Sequence, residues 1–279
     1  MANDLFYEDI LHNNLIVIVD AIPDGEIGAQ PLNQSIQDCF SEQGITSYCF
    51  YERVRSLQEF RLLFEALLAY AELGALPVIH IEAHGAKGKG LRIGNEIMGW
   101  QELYEYSLKI NTRTRNNFGV ILSCCYGNEL SSLVSVDRPC PFRFVIGHKY
   151  EINAGPLRDQ MLSFYKEIIL SGRLDTAVGH LDEGFSHFSS SKYFLINIAS
   201  FFSKNSSGKS HRLLIEDLLT RVLEGRNASP TSISAIRNRV KYLVKSPEWF
   251  ITQYMRNFLH GEEPVSFSDL ERFYRDVEK

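Results

Sequence analysis

Two stretches decide how this chain reads: Val78-Ile79-His80-Ile81-Glu82-Ala83-His84-Gly85 and Val120-Ile121-Leu122-Ser123-Cys124-Cys125-Tyr126-Gly127. Each is an apolar run that stops at a reactive side chain followed closely by glycine. An apolar run of this length bounded by turn residues predicts a buried strand. An imidazole at the tip of one strand and a thiol at the tip of the next make a His/Cys pair suited to nucleophilic chemistry.

The flanking sequence repeats the pattern. Leu15-Ile16-Val17-Ile18-Val19 is a third such strand, closed by Asp20 and Pro23, and Phe142 to Gly147 is a fourth. Ile45 to Tyr51 is a weaker one. Between them lie helical segments: about Asn33 to Ser41, Ser56 to Leu73, Trp100 to Ile110, Asn128 to Val134, Leu157 to Leu170 and Leu174 to Leu181. Ser56-Leu57-Gln58-Glu59 is a Ser-x-x-Glu capping pattern that opens the second of these. Strands apolar on both faces alternating with amphipathic helices predict an α/β fold, a mostly parallel central sheet flanked by helices. In such sheets chemistry collects at the carboxyl ends of the strands, where His84 and Cys125 fall.

After Gly184 the pattern changes to an aromatic-rich stretch, a Ser/Asn/Gly/Lys loop at 203–210 and further helical segments. The expected division is therefore a catalytic domain over 1–184 and a helical C-terminal appendage over 185–279. The formal net charge of -5 is unevenly spread, the acidic excess lying in the first part and a modest basic excess in the second. No block of like charge is long enough to form a phosphate stripe, so nucleic acid is not the expected partner. The aromatics of the tail, such as Phe250, Tyr254 and Phe258, have helical spacing and are expected in a core.

Composition, 44% hydrophobic and 23% charged, is that of a globular protein. No apolar run approaches the ~20 residues of a membrane-spanning helix. The five cysteines are odd in number, two are adjacent, and residues 1–9 show no leader pattern. A reducing cytoplasm, where a free thiolate persists, is the expected setting.

Successive strand residues point to opposite faces, so Cys124 and Cys125 do not both face His84. Cys125, last before the Tyr126-Gly127 exit, is the expected nucleophile and Cys124 a small core residue. His84 is the expected general base and acid. Backbone N–H groups of Gly85 and Cys125 are the expected oxyanion donors. His80, Glu82 and His84 alternate along one strand face, but without the helical His-Glu-x-x-His spacing of zinc proteases. His80 and Glu82 are read as polar support for His84 or as satisfied buried groups, and neither metal nor organic cofactor is expected. Gly85-x-x-Gly88-x-Gly90 is read as a mobile loop beside the site, and Ser207-Gly208-Lys209-Ser210 as a linker, because it lacks the first glycine of a phosphate loop.

Leu-Ser-Cys-Cys-Tyr-Gly at 122–127 resembles the caspase signature Gln-Ala-Cys-x-Gly, with Cys125 on the nucleophile and Ser123 on the Gln. A His-Gly lies about 40 residues upstream, against about 50 in caspases. Phe144-Val145-Ile146-Gly147, then Phe164-Tyr165 and Ala177, are similar to the corresponding strand and helices of CHAT proteases. Over about residues 15 to 184 the chain thus resembles the caspase-like cysteine peptidases, and most of all their prokaryotic members in antiviral defence. The resemblance implies a regulated endopeptidase acting on a protein substrate. It implies an activating or inhibitory protein partner through the C-terminal region. It also implies that Ser123, with Tyr150 and Glu151 after the Gly147 strand, contacts substrate. Ser123 replaces the family's Gln, so specificity for aspartate is not implied, and Glu151 equally suits a basic residue. The rival expectation is a caspase-like interaction module that never engages substrate.

Overall fold

A computed structural model describes residues 10–45, 49–205, 230–245 and 247–262, with isolated positions from 212 to 223. One compact unit ends at Ser190 and a second holds the chain from Ser191 onward.

The first unit is built on a six-stranded sheet of β1 (Leu15–Asp20), β2 (Cys49–Arg53), β3 (Pro77–Glu82), β7 (Gly119–Ser123), β8 (Phe144–His148) and β9 (Phe185–Ser189). The strand order is β2-β1-β3-β7-β8-β9. Every pairing is parallel except that of β9, which runs antiparallel to β8. The expected α/β class and mostly parallel, helix-flanked sheet are therefore present. All residues of β1, β7 and β8 are buried, as strands covered on both faces require.

Helices cover the sheet: α1 (Gln30–Glu42), α2 (Leu57–Glu72), α3 (Trp100–Arg113), α4 (Ala154–Ser171) and the short α5 (Leu174–Val178). Helix α1 begins ahead of the expected Asn33 because Pro31 stands in its first turn, where a missing N–H costs nothing. The capping pattern at Ser56 forms as read: its hydroxyl accepts the Glu59 N–H at 3.2 Å, and the Glu59 carboxylate accepts the Arg55 N–H at 2.7 Å. Ile16, Ile18, Val78, Ile121 and Ile146 of one sheet face pack with Leu32 and Ile36 of α1 and Met161, Phe164 and Tyr165 of α4.

Two sequence expectations change. Strand β2 lies later than Ile45–Tyr51, and residues 46–48 of that expectation lie outside the described residues. It is an edge strand with only Cys49 fully buried, so its pattern lacks the two-sided apolar signal of its neighbours. The domain boundary near 184 also moves, because β9 completes the sheet and the unit runs to Ser190. The sequence Phe-Ser-His-Phe-Ser has no β-branched residue, yet it gains a full ladder with β8 from His148↔Phe185 to Phe144↔Ser189.

A second sheet, antiparallel and three-stranded, is inserted after β3: β4 (His84–Ala86), β5 (Gly90–Ile93) and β6 (Glu96–Gly99). The stretch read as a mobile loop over Gly85 to Gly90 instead opens a regular meander, and Leu91, Ile93 and Met98 are fully buried.

The second unit is helical where it is described, with α6 (Ser190–Asn205), α7 (Pro230–Lys245) and α8 (Pro247–Phe258). Phe194 and Phe258 are buried and stack at 5.8 Å between ring centroids, so these two aromatics form core as expected. Arg237 pairs with Glu216 at 2.8 Å. The side chains of Phe201, Phe202, Trp249 and Phe250, and the stretch 206–210, lie outside the described residues. Among the described residues no helix is long and apolar enough to cross a membrane.

Candidate active site

The register of the parallel strands sets the site. Glu82 at the end of β3 stands beside Ser123 at the end of β7, and the chain then leaves both strands at the same edge of the sheet. His84 opens β4 two residues past Glu82, while Cys125 enters a tight turn ahead of a 3-10 helix (Gly127–Leu133). Both residues line one cavity of about 530 Å³. Its walls come from four segments: the loop after β1 at 22–27, residues 82–84, residues 123–125, and the start of α4 at 152–158.

Gly85 and Cys125 meet backbone to backbone. A β-carbon on Gly85 would lie 1.7 Å from the Cys125 carbonyl oxygen and 3.1 Å from its nitrogen. The His-Gly motif is thus a packing requirement as well as a chemical one: only a residue without a side chain lets the His84 hairpin close onto the thiol's turn. The two expected oxyanion donors lie at this junction.

The turn itself is held in a conformation that L-residues seldom adopt. Tyr126 has φ 59°, in the left-handed region, at a cost of about 1–3 kcal/mol offset by its surroundings. Its N–H donates to the Tyr150 carbonyl at 3.2 Å, its hydroxyl to Glu151 at 3.2 Å, and the Lys87 ammonium lies 5.6 Å from its ring centre. Burial, together with the Glu151 charge, pushes the Tyr126 phenol upward. Tyr150 and Glu151, expected to contact substrate, thus clasp the turn at Cys125 and Tyr126 and are not among the cavity-lining residues. Ile152 and Asn153, immediately after them, are. Ser123, the third expected substrate contact, does line the cavity and is buried, with no hydrogen-bond partner for its hydroxyl.

Of the five cysteines only Cys125 is partly exposed. Cys124 is buried as expected, and burial pushes its thiol far up. Burial raises Cys140 likewise, Cys39 less, and Cys49 to about 12. The Cys125 sulfur lies 4.0 Å from the Ile152 carbonyl oxygen.

The His84 ring turns toward Glu26, its Nε2 3.1 Å from a carboxylate oxygen, and makes no hydrogen bond to Cys125. Glu26 sits in the glycine-containing loop after β1, and nothing in its local sequence marked it. Glu129 was missed too. One of its carboxylate oxygens accepts both the Gly88 N–H at 2.8 Å and the Trp100 indole N–H at 2.7 Å. It therefore ties the small sheet carrying His84 to the 3-10 helix that follows Cys125.

Neither His80 nor Glu82 hydrogen-bonds His84, and for His80 the alternative of a buried group with its own partner holds. His80 is fully buried on the α4 side of the sheet, with Nδ1 3.1 Å from the Tyr165 hydroxyl, and Glu82 is among the residues lining the cavity. Among the described residues no group of three or more His, Cys, Asp or Glu side chains is placed to hold a metal ion. No protein-family model matches the chain, and no curated protein is similar enough to it to count as a relative.

Proposed function

We propose that the chain is a caspase-like cysteine endopeptidase, with Cys125 as nucleophile and His84 as the group that moves the proton. The observation that carries this reading is the junction at which Gly85 closes on the Cys125 backbone inside a cavity lined by both reactive side chains. A Nε2–H donated to Glu26 fixes the imidazole tautomer and leaves Nδ1 to take the thiol proton, so Glu26 completes a nucleophile, base and orienting group. The His84–Cys125 hydrogen bond is absent without substrate, as catalytic hydrogen bonds often are before the Michaelis complex forms.

In the reaction the Cys125 thiolate attacks the scissile carbonyl carbon while the imidazolium keeps the proton. Backbone N–H groups of Gly85 and Cys125 hold the oxyanion, each worth about 10²–10³ in rate by analogy. The C–N bond breaks as His84 passes the proton to the leaving amine. Water, deprotonated by the same imidazole, then hydrolyses the thioester and releases the thiol. The Cys125 N–H donates to no other group among the described residues, which suits it to this role.

The resemblance to prokaryotic caspase-like proteins extends the reading to regulated cleavage of a protein substrate in antiviral defence, with a partner protein engaging the C-terminal helices. The test is a peptide-library cleavage profile of the wild type against Cys125→Ala and His84→Ala. Cleavage lost in both variants supports the peptidase. A Cys125→Ala protein that keeps full biological activity replaces that reading with a non-catalytic interaction module.

A further inference from the structure

The cavity carries charge that the His84/Cys125 chemistry leaves unused. Glu82 lines it with a side chain only 12% exposed, and among the described residues no donor hydrogen-bonds its carboxylate. The nearest cationic candidate is the Nε2 of His80 at 3.8 Å, a buried nitrogen that itself has no hydrogen-bond partner. Asp20, beside Glu82 on β1, is occupied: its carboxylate accepts the Tyr51 hydroxyl at 2.7 Å and the N–H groups of Ile22 and Ala29.

On its other side Glu82 is flanked in register by Ser123, buried, lining the same cavity, with an unpartnered hydroxyl. A carboxylate without a donor and a hydroxyl without a partner, side by side at strand ends, form an incomplete hydrogen-bonding set. Buried polar groups of this kind require a partner, and the strongest partner for a carboxylate is a donor carrying positive charge.

The remaining charges of the lining point the same way. Glu26 adds a second carboxylate, next to His84, and Arg158 from α4 is the single Lys or Arg. The wall is net acidic, and an acidic side chain reaching Glu82 would meet uncompensated repulsion.

We infer that this cavity binds a lysine or arginine side chain of the substrate, Glu82 taking its cationic head and Ser123 accepting a further N–H, so that cleavage follows a basic residue. The inference rests on the peptidase reading for its word "cleavage" but not for its binding site. Arg158 is left to meet a carbonyl or carboxylate elsewhere on the peptide.

The binding site is tested in the Cys125→Ala protein, full length, by calorimetry with two otherwise identical peptide amides ending in arginine or in citrulline, its neutral isostere. The arginine peptide is expected to bind at least tenfold tighter. Adding Glu82→Gln is expected to bring the two within twofold, while Glu82→Asp keeps the preference. Equal affinity for the two peptides in the Cys125→Ala protein, or no binding of either, overturns the inference.

A second arm measures kcat/KM of the wild type on peptides differing only before the cut. Lysine and arginine are expected to exceed aspartate and leucine by at least tenfold, and a preference for aspartate overturns the inference. If no peptide is cut while the arginine preference in binding persists, the peptidase reading fails and the cation site stands.

Discussion

Gly85 faces the carbonyl of Cys125 so closely that no side chain fits between the hairpin carrying the imidazole and the turn carrying the thiol. The obstacle at 1.7 Å is backbone, so no rotamer change relieves it. Gly85→Ala is expected to destabilise the protein by about 3 kcal/mol, the upper end for overpacking, and to displace the His84 hairpin. Thermal unfolding measures the first effect. Peptide cleavage measures the second, and a variant as active and as stable as the wild type would show that the two segments do not touch.

The cysteines are predicted to react in sequence. At pH 7.5 iodoacetamide in excess over all five thiols is expected to label Cys125 quickly, because the other four thiols are buried and held toward their neutral form. Intact-mass analysis should find one adduct in the native protein, none at early times in Cys125→Ala, and five after unfolding in denaturant. Early labelling at Cys124 would reverse the assignment of nucleophile and core residue.

Glu129 is expected to govern the small sheet without touching substrate. Glu129→Ala leaves the Gly88 and Trp100 N–H groups without their acceptor, at a cost of about 1–3 kcal/mol. Glu129→Gln keeps a neutral acceptor and is expected to cost less. Hydrogen exchange at the Gly88 amide should quicken in the alanine variant more than in the glutamine one. Unchanged exchange in both would remove the link.

A pH signature belongs to Asp182. Hydrogen bonds from Gln160 at 2.9 Å and from the Gly184 N–H at 2.8 Å hold its carboxyl below the ordinary 3.8, with the His148 ring 3.9 Å away. A depressed folded-state value means that the stabilisation is present above about 3.8 and is lost as pH falls through the lower folded value. Asp182→Asn is therefore expected to lower stability at pH 6–7, by no more than about 1 kcal/mol for so exposed a group. The difference from wild type should close toward pH 2. A difference independent of pH would assign Asp182 a packing role instead.

The strands were legible wherever both faces are buried, as at Leu15–Asp20 and Gly119–Ser123, because a continuous apolar run leaves little choice. They were not legible at the margins. Strand β9 is held by its ladder with β8, a long-range pairing that no local pattern in Phe185–Ser189 announces. His84 and Cys125 were read at the ends of neighbouring strands, and the adjacency of β3 and β7 puts both on one cavity. Glu26 and Glu129 were invisible because each acts on a group far along the chain, from a loop or a turn whose own sequence has other reasons to be polar. Tyr150 and Glu151 lie outside the cavity lining because the chain bends after His148: they turn to Tyr126, and the next two residues reach the cavity.

Gly147 of β8 also lies against the turn, an added β-carbon falling 2.5 Å from the Gly127 carbonyl carbon. Drift in a lineage acts differently on such positions and on the reactive ones. A descendant that loses the thiol keeps its shape, whereas one that gains a side chain at 85 or 147 does not. The glycines therefore record ancestry and the thiol records occupation. On the proposed peptidase reading, those two glycines would mark any relative of this chain, and Cys125 with His84 only those relatives that cleave.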